Sequence, residues 1–140
     1  MVSPADINPR IVESLYCEAL ALADEVRACF APESQRRGAD WSCEGLRTTT
    51  RVMHCLAWLL NHRAFFAGEI SAFQLRRHGR LAVGLPPSDT AGLPLDVART
   101  VRDSERLYAR IVRLEQAWRG SDAAPQPSAI DKLRERLAAR

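Results

Sequence analysis

The sequence predicts an all-α fold, a three-helix bundle with a short C-terminal helical tail, and three observations carry that prediction. Apolar residues recur at spacings of three and four over three long stretches, clusters of glycine and proline separate those stretches, and only Leu81–Leu85 reads as a short strand. The size agrees. A chain of 140 residues that is 46% hydrophobic and 26% charged is one ordinary globular domain, large enough to bury a core without a disulfide or a metal.

The first helix is expected over residues 8 to 30. Asn8 is placed to accept a backbone N–H bond, and Pro9 takes the first helical position, where its missing donor costs nothing. Ile11, Leu15, Ala19, Leu22, Val26 and Phe30 line its buried face, and Pro32 ends it. Ala31 to Asp40 is polar and unpatterned, and so is a connecting loop. The second helix is expected over residues 42 to 67, with Leu46, Val52, Met53, Leu56, Ala57, Leu59 and Leu60 on more than one face, the mark of a central helix. Gly68 interrupts it, and Glu69 to Arg77 follows as a shorter helix. Gly84, Pro86, Pro87, Gly92 and Pro94 mark a mid-chain loop.

The third long helix is expected over residues 94 to 119, with Val97, Val101, Ser104, Tyr108, Ile111 and Trp118 on one face. Gly120, Pro125 and Pro127 then form a linker, and Ser128 with Asp131 has the pattern of a capping box that opens a short final helix. The domain reading is therefore a helical bundle over residues 1–120, followed by a linker and short helix over residues 121–140.

Of the 20 Lys+Arg residues only Lys132 is a lysine, and 17 Asp+Glu nearly balance them, so the net charge of +3 does not by itself announce nucleic acid. Cys17, Cys29, Cys43 and Cys55 form no close pair of the kind zinc or redox motifs use, and they read as small buried apolar residues of a chain in a reducing cytoplasm. His54 and His62 are too far apart along a helix to share a metal ion. No phosphate loop, nucleophile elbow or paired-carboxylate constellation is present, so the reading is of a protein without enzymatic activity, cofactor or metal. Nothing approaches the length of a membrane span.

Two polar stripes stand out. On the third helix Arg99, Arg102, Arg106, Arg110 and Arg113 fall on one line, which either grips phosphates or an acidic surface or is a solvated face screened by Asp96, Asp103 and Glu105. This is the alternative, nucleic-acid-binding reading. On the second helix Glu44, Arg47, Arg51, His54, Trp58, Asn61 and His62 recur at spacings of three and four. That mixture of charge and large aromatic suits a protein contact, the rival being that Trp58 completes the core while Glu44 pairs with Arg47 or Arg51.

The run Cys43-Glu44-Gly45-Leu46-Arg47-Thr48-Thr49-Thr50-Arg51-Val52-Met53, continued through Ala57-Trp58-Leu59-Leu60 and Arg63-Ala64 to Gly68-Glu69, resembles the central helix of the RcdA family, regulators of CtrA degradation in alphaproteobacteria. Leu15-Tyr16, Glu18-Ala19 and Leu22-Ala23 add to the likeness, which spans about residues 8 to 85. It departs at Thr48, where the family pattern has leucine, and at Ala57, where it has serine. The resemblance implies a three-helix bundle that forms a homodimer and acts as a non-enzymatic adaptor delivering cell-cycle regulators to the ClpXP protease. The implied partners are the ClpX unfoldase and a response regulator or substrate. Motif residues that carry over are Glu44, Leu46, Arg47, Thr49, Thr50, Arg51, Met53, Trp58, Leu59 and Leu60, with Glu44, Arg47 and Arg51 the polar ones suited to partner binding.

Overall fold

A computed structural model describes residues 7–31, 38–122 and 129–139. They form five helices, α1 (Pro9–Cys29), α2 (Ala39–Phe66), α3 (Ala72–His78), α4 (Leu95–Asp122) and α5 (Ala129–Ala138), and no strand is present among them. The fold is all-α, with α1, α2 and α4 packed against one another and α5 as a short C-terminal helix. The strand expected at Leu81–Leu85 is not formed. These residues run irregularly, held by side chains of α4 instead of by a second strand: the Leu81 N–H donates to Glu115 at 2.9 Å and the Tyr108 hydroxyl donates to the Ala82 carbonyl at 2.6 Å.

Local chemistry sets the helix ends. Asn8 caps α1, its side-chain oxygen accepting from the Ile11 N–H at 3.0 Å, with Pro9 at the first position. After α2, Gly68 adopts φ 77°, and the N–H groups of Gly68 and Glu69 donate to the carbonyls of Phe65 and Ala64. Such a left-handed residue closes a helix by satisfying its last carbonyls, and glycine takes that conformation without a Cβ penalty. Ser71 and Gln74 then form a reciprocal capping box that starts α3. Pro32 and Ser128 lie outside the described residues. α4 runs three residues beyond the expected end, through the glycine at 120, so residues 121 and 122 belong to it and not to the linker.

Contacts at both ends fix the directions of the helices. Glu13 meets Arg63, and the Phe30 ring lies 2.8 Å from where a Cβ on Gly45 would sit, so α1 and α2 are antiparallel. Arg51 meets Ser104 and His62 meets Trp118, so α2 and α4 are parallel, joined by the long segment 67–94. The core is Val12, Leu15, Ala19, Leu22 and Val26 of α1, Val52, Cys55, Trp58 and Leu59 of α2, and Leu107 and Ile111 of α4. A smaller cluster of Trp41, Val97 and Val101 closes the other end, with Cys29 and Phe30 packed against it. On the expected α1 face Ile11 and Phe30 are only half-buried while Val12 is buried in addition, and on the expected α4 face Tyr108 and Trp118 are half-buried while Leu107 is buried in addition. Among the cysteines Cys55 alone is buried. Cys17 and Cys43 are exposed and Cys29 is intermediate, because neither 17 nor 43 shares the core-facing line of its helix.

Candidate functional site

The polar line on α2 does not face solvent as expected. Glu44, Arg51, Trp58 and His62 are buried, His54 and Asn61 are half-buried, and Arg47 alone is exposed. The physical reason is α4, which packs along that side of α2 and takes these side chains into the bundle. The Arg51 guanidinium donates to Ser104 Oγ at 3.0 Å and to Ser88 Oγ at 3.5 Å, and lies 3.8 Å from a Glu105 carboxylate oxygen. Ser104 passes the interaction on by donating to the Val101 carbonyl, and Glu105 accepts from the Ser88 N–H. A buried cation is tolerated only when so bonded, which makes Arg51 a clasp between α2, α4 and the segment that joins them.

Trp58 completes the core, as the intramolecular alternative had it, but Glu44 pairs with neither arginine. Its carboxylate accepts from the Thr48 hydroxyl one turn on, at 3.2 Å. His62 is stacked on Trp58 with ring centroids 3.9 Å apart and meets Trp118 edge-on at 5.5 Å. Burial lowers its pKa to about 4, and the nearby Arg119 pushes in the same direction. His62 is therefore a neutral ring in the core. Burial likewise pushes the Cys55 thiol up to about 12, against an opposing pull from Arg51, so it stays protonated.

The arginine line on α4 is exposed throughout but partly spoken for. Arg106 pairs with Asp103 at 3.1 Å, Arg110 with Glu18 of α1 at 3.0 Å, and Arg102 donates to the Thr90 hydroxyl at 3.1 Å. Glu105, expected to screen this line, faces Arg51 and Ser88 instead. Arg99 and Arg113 have no partner among the described residues.

What remains on the surface of α2 is a different line. Leu46, Met53 and Leu60, seven residues apart, are 70%, 57% and 48% exposed. Thr50 and Ala57 lie between them and Ala64 follows, so the outward side of the helix carries no charge between Leu46 and Ala64. Sequence reasoning placed these residues in a central helix. The signal that distinguishes them was present, since the positions on the Leu46–Met53–Leu60 line are all uncharged, whereas the line that α4 covers carries Glu44, Arg51 and His62.

Arg47 borders this outward line and also lines a cavity of about 640 Å³ at the end of the bundle, with Asp40, Trp41, Cys43, Glu44, Asp89, Leu93 and Pro94 among its walls. It has no ion-pair partner among the described residues. The cavity thus joins an aromatic wall to carboxylates and one uncommitted guanidinium, a surface equipped for polar recognition. Among the described residues no three His, Cys, Asp or Glu side chains converge to hold a metal ion, and no helix is long and apolar enough to cross a membrane.

A small helical bundle with an open, uncharged helix face and a polar cavity at one end is the class of protein these features define. The chain belongs to the family described as a protein of unknown function, DUF1465, which matches residues 4–140. No curated protein and no solved structure matches it.

Proposed function

We propose that this chain is a non-enzymatic protein-interaction module acting as an adaptor in regulated proteolysis, the role implied by its resemblance to the RcdA family. The carrying observation is the surface of α2: the helix with the family-like motif presents exposed Leu46, Met53 and Leu60 together with the exposed Arg47. Adaptors work by raising the local concentration of a substrate at its protease, which calls for separable binding surfaces and no catalytic group. The partners proposed are the ClpX unfoldase and a response regulator or substrate, in the cytoplasm, with Arg47 and the adjoining cavity as the contact.

The test is affinity capture from lysate beside an Arg47→Glu variant, with bound proteins and nucleic acid both identified. Arg47 is exposed and has no ion-pair partner among the described residues, so the reversal should leave helical content unchanged and remove the protease or its substrate from the eluate. Capture unaffected by the reversal would refute this surface. Glu44 and Arg51, suited to partner binding by the resemblance, are buried and are unsuitable probes. The nucleic-acid reading rests on Arg99 and Arg113, since the other three arginines of that line already have partners. Nucleic acid retained at low salt and released at moderate salt would favour it over the adaptor.

A further inference from the structure

The segment between α3 and α4 has the sequence of a strand and nothing to pair with. Leu81-Ala82-Val83-Gly84-Leu85 carries no charge, and from residue 79 to residue 90 the chain makes no turn or bend. It is nonetheless held in place. Near its start the Leu81 N–H donates to Glu115 and the Tyr108 hydroxyl to the Ala82 carbonyl, and near its end the Ser88 N–H donates to Glu105. Glu115 and Glu105 lie ten residues apart on α4, about 15 Å, so residues 81–88 run back along that helix in the opposite direction.

Between these anchors the main chain is uncommitted. The N–H groups of residues 82–85 and the carbonyls of residues 83–85 have no hydrogen-bond partner among the described residues. All four residues are exposed, Val83 to 90%. Soluble proteins ordinarily blunt such a stretch with a lysine, a proline or an inward charge, and none stands between Leu81 and Leu85. On the inner side the segment already rests on α4, since a Cβ on Gly84 would meet the Tyr108 ring at 2.7 Å. Only its outer side is open to pairing.

We propose that residues 82–85 receive an extended acidic peptide segment of a partner protein, which adds to them as a strand. Main-chain bonds supply affinity in this mode of recognition, and because the receiving segment is anchored beforehand, the ordering cost falls on the peptide alone. Charge selects which peptide. Arg77 and Arg80 are exposed beside the strand's start and have no ion-pair partner among the described residues, and His78 between them is exposed as well. Arg80 also lines, with Val83, Tyr108 and Val112, a groove of about 520 Å³ between the segment and α4. A carboxylate there gains charge-assisted bonds, whereas a basic side chain is repelled. The far end carries Asp89 and Glu105, which confines the peptide's carboxylates to the Arg80 end. Antiparallel addition, the slightly stronger pairing, makes that the C-terminal end of the peptide. This site is separate from the Arg47 cavity and does not depend on the adaptor reading.

The probe is a labelled, end-capped peptide, Thr-Val-Thr-Val-Asp-Asp, followed by fluorescence anisotropy and amide NMR. Binding should saturate, slow exchange of the Val83 and Leu85 amides, and leave the α2 amides unshifted. Arg80→Glu should weaken it about tenfold at low salt, and Val83→Pro, which removes one pairing N–H at an exposed position, should abolish it with helical content unchanged. Arg47→Glu should leave it intact, which separates failure here from failure of the adaptor surface. No saturable binding at millimolar peptide overturns the proposal. So does equal binding of a backbone N-methylated peptide, which has lost its donors, or of Thr-Val-Thr-Val-Lys-Lys. Equal binding of Asp-Asp-Thr-Val-Thr-Val overturns the antiparallel order. A single-stranded oligonucleotide that displaces the peptide and is itself lost in Arg80→Glu overturns the choice of occupant in favour of nucleic acid, and self-association without peptide that Val83→Pro removes overturns it in favour of a second copy.

Discussion

At the scale of single residues, two of the charge-capable groups that the bundle buries, His62 and Arg51, have measurable consequences. Unfolded, His62 takes up a proton near its ordinary value of 6.5; folded, it does so only near 4. Between those values the unfolded chain binds the extra proton, so stability falls as pH is lowered through this window and is unaffected by this group above it. The loss approaches about 3 kcal/mol at the acid end, and urea midpoints at pH 7 and pH 5 for the natural chain and His62→Phe should show the acid sensitivity shrinking in the variant. Arg51→Ala removes the clasp and leaves Ser104 with one interaction fewer and a void beside it. It should cost about 2–4 kcal/mol in denaturant unfolding. Arg51→Glu would set a buried carboxylate against Glu105, so any partner lost by it would report on the fold and not on a contact.

At the scale of elements, what was legible in the sequence was whatever is decided locally. Asn8 with Pro9 opens α1 and Gly68 closes α2 through bonds to atoms within four residues, so the amino acids themselves announce these boundaries. Gly68→Ala keeps every contact but puts a Cβ on a left-handed residue, and should lower stability by about 1 kcal/mol in thermal or urea unfolding. The segment 79–94 was less legible, because its order is borrowed from a distant helix. Glu115, Tyr108 and Glu105 hold it by bonds spanning 34, 26 and 17 residues, which no local pattern encodes. Tyr108→Phe, which deletes only the bond to the Ala82 carbonyl, should cost about 1 kcal/mol and raise amide exchange around Ala82 while leaving α4 protected.

At the scale of the whole molecule, the candidate site was misjudged for one reason: α2 is apolar on two sides, and periodicity does not say which side meets α4. Glu44, Arg51, Trp58 and His62 looked like a recognition stripe because their residue types suit one, and the packing of α4 turned them inward. Leu46, Met53 and Leu60 looked like core and were left outside. The long connection returns α4 parallel to α2, and that same connection also orders events in time. α1 and α2 are antiparallel neighbours separated by only nine residues of sequence and can zip together early. α4 must wait for residues 67–94 to close, at an entropic cost of about 3 kcal/mol. The rate-limiting nucleus should therefore be the α1–α2 hairpin, with Leu59→Ala slowing refolding, whereas Ile111→Val should leave the refolding rate nearly unchanged and hasten unfolding.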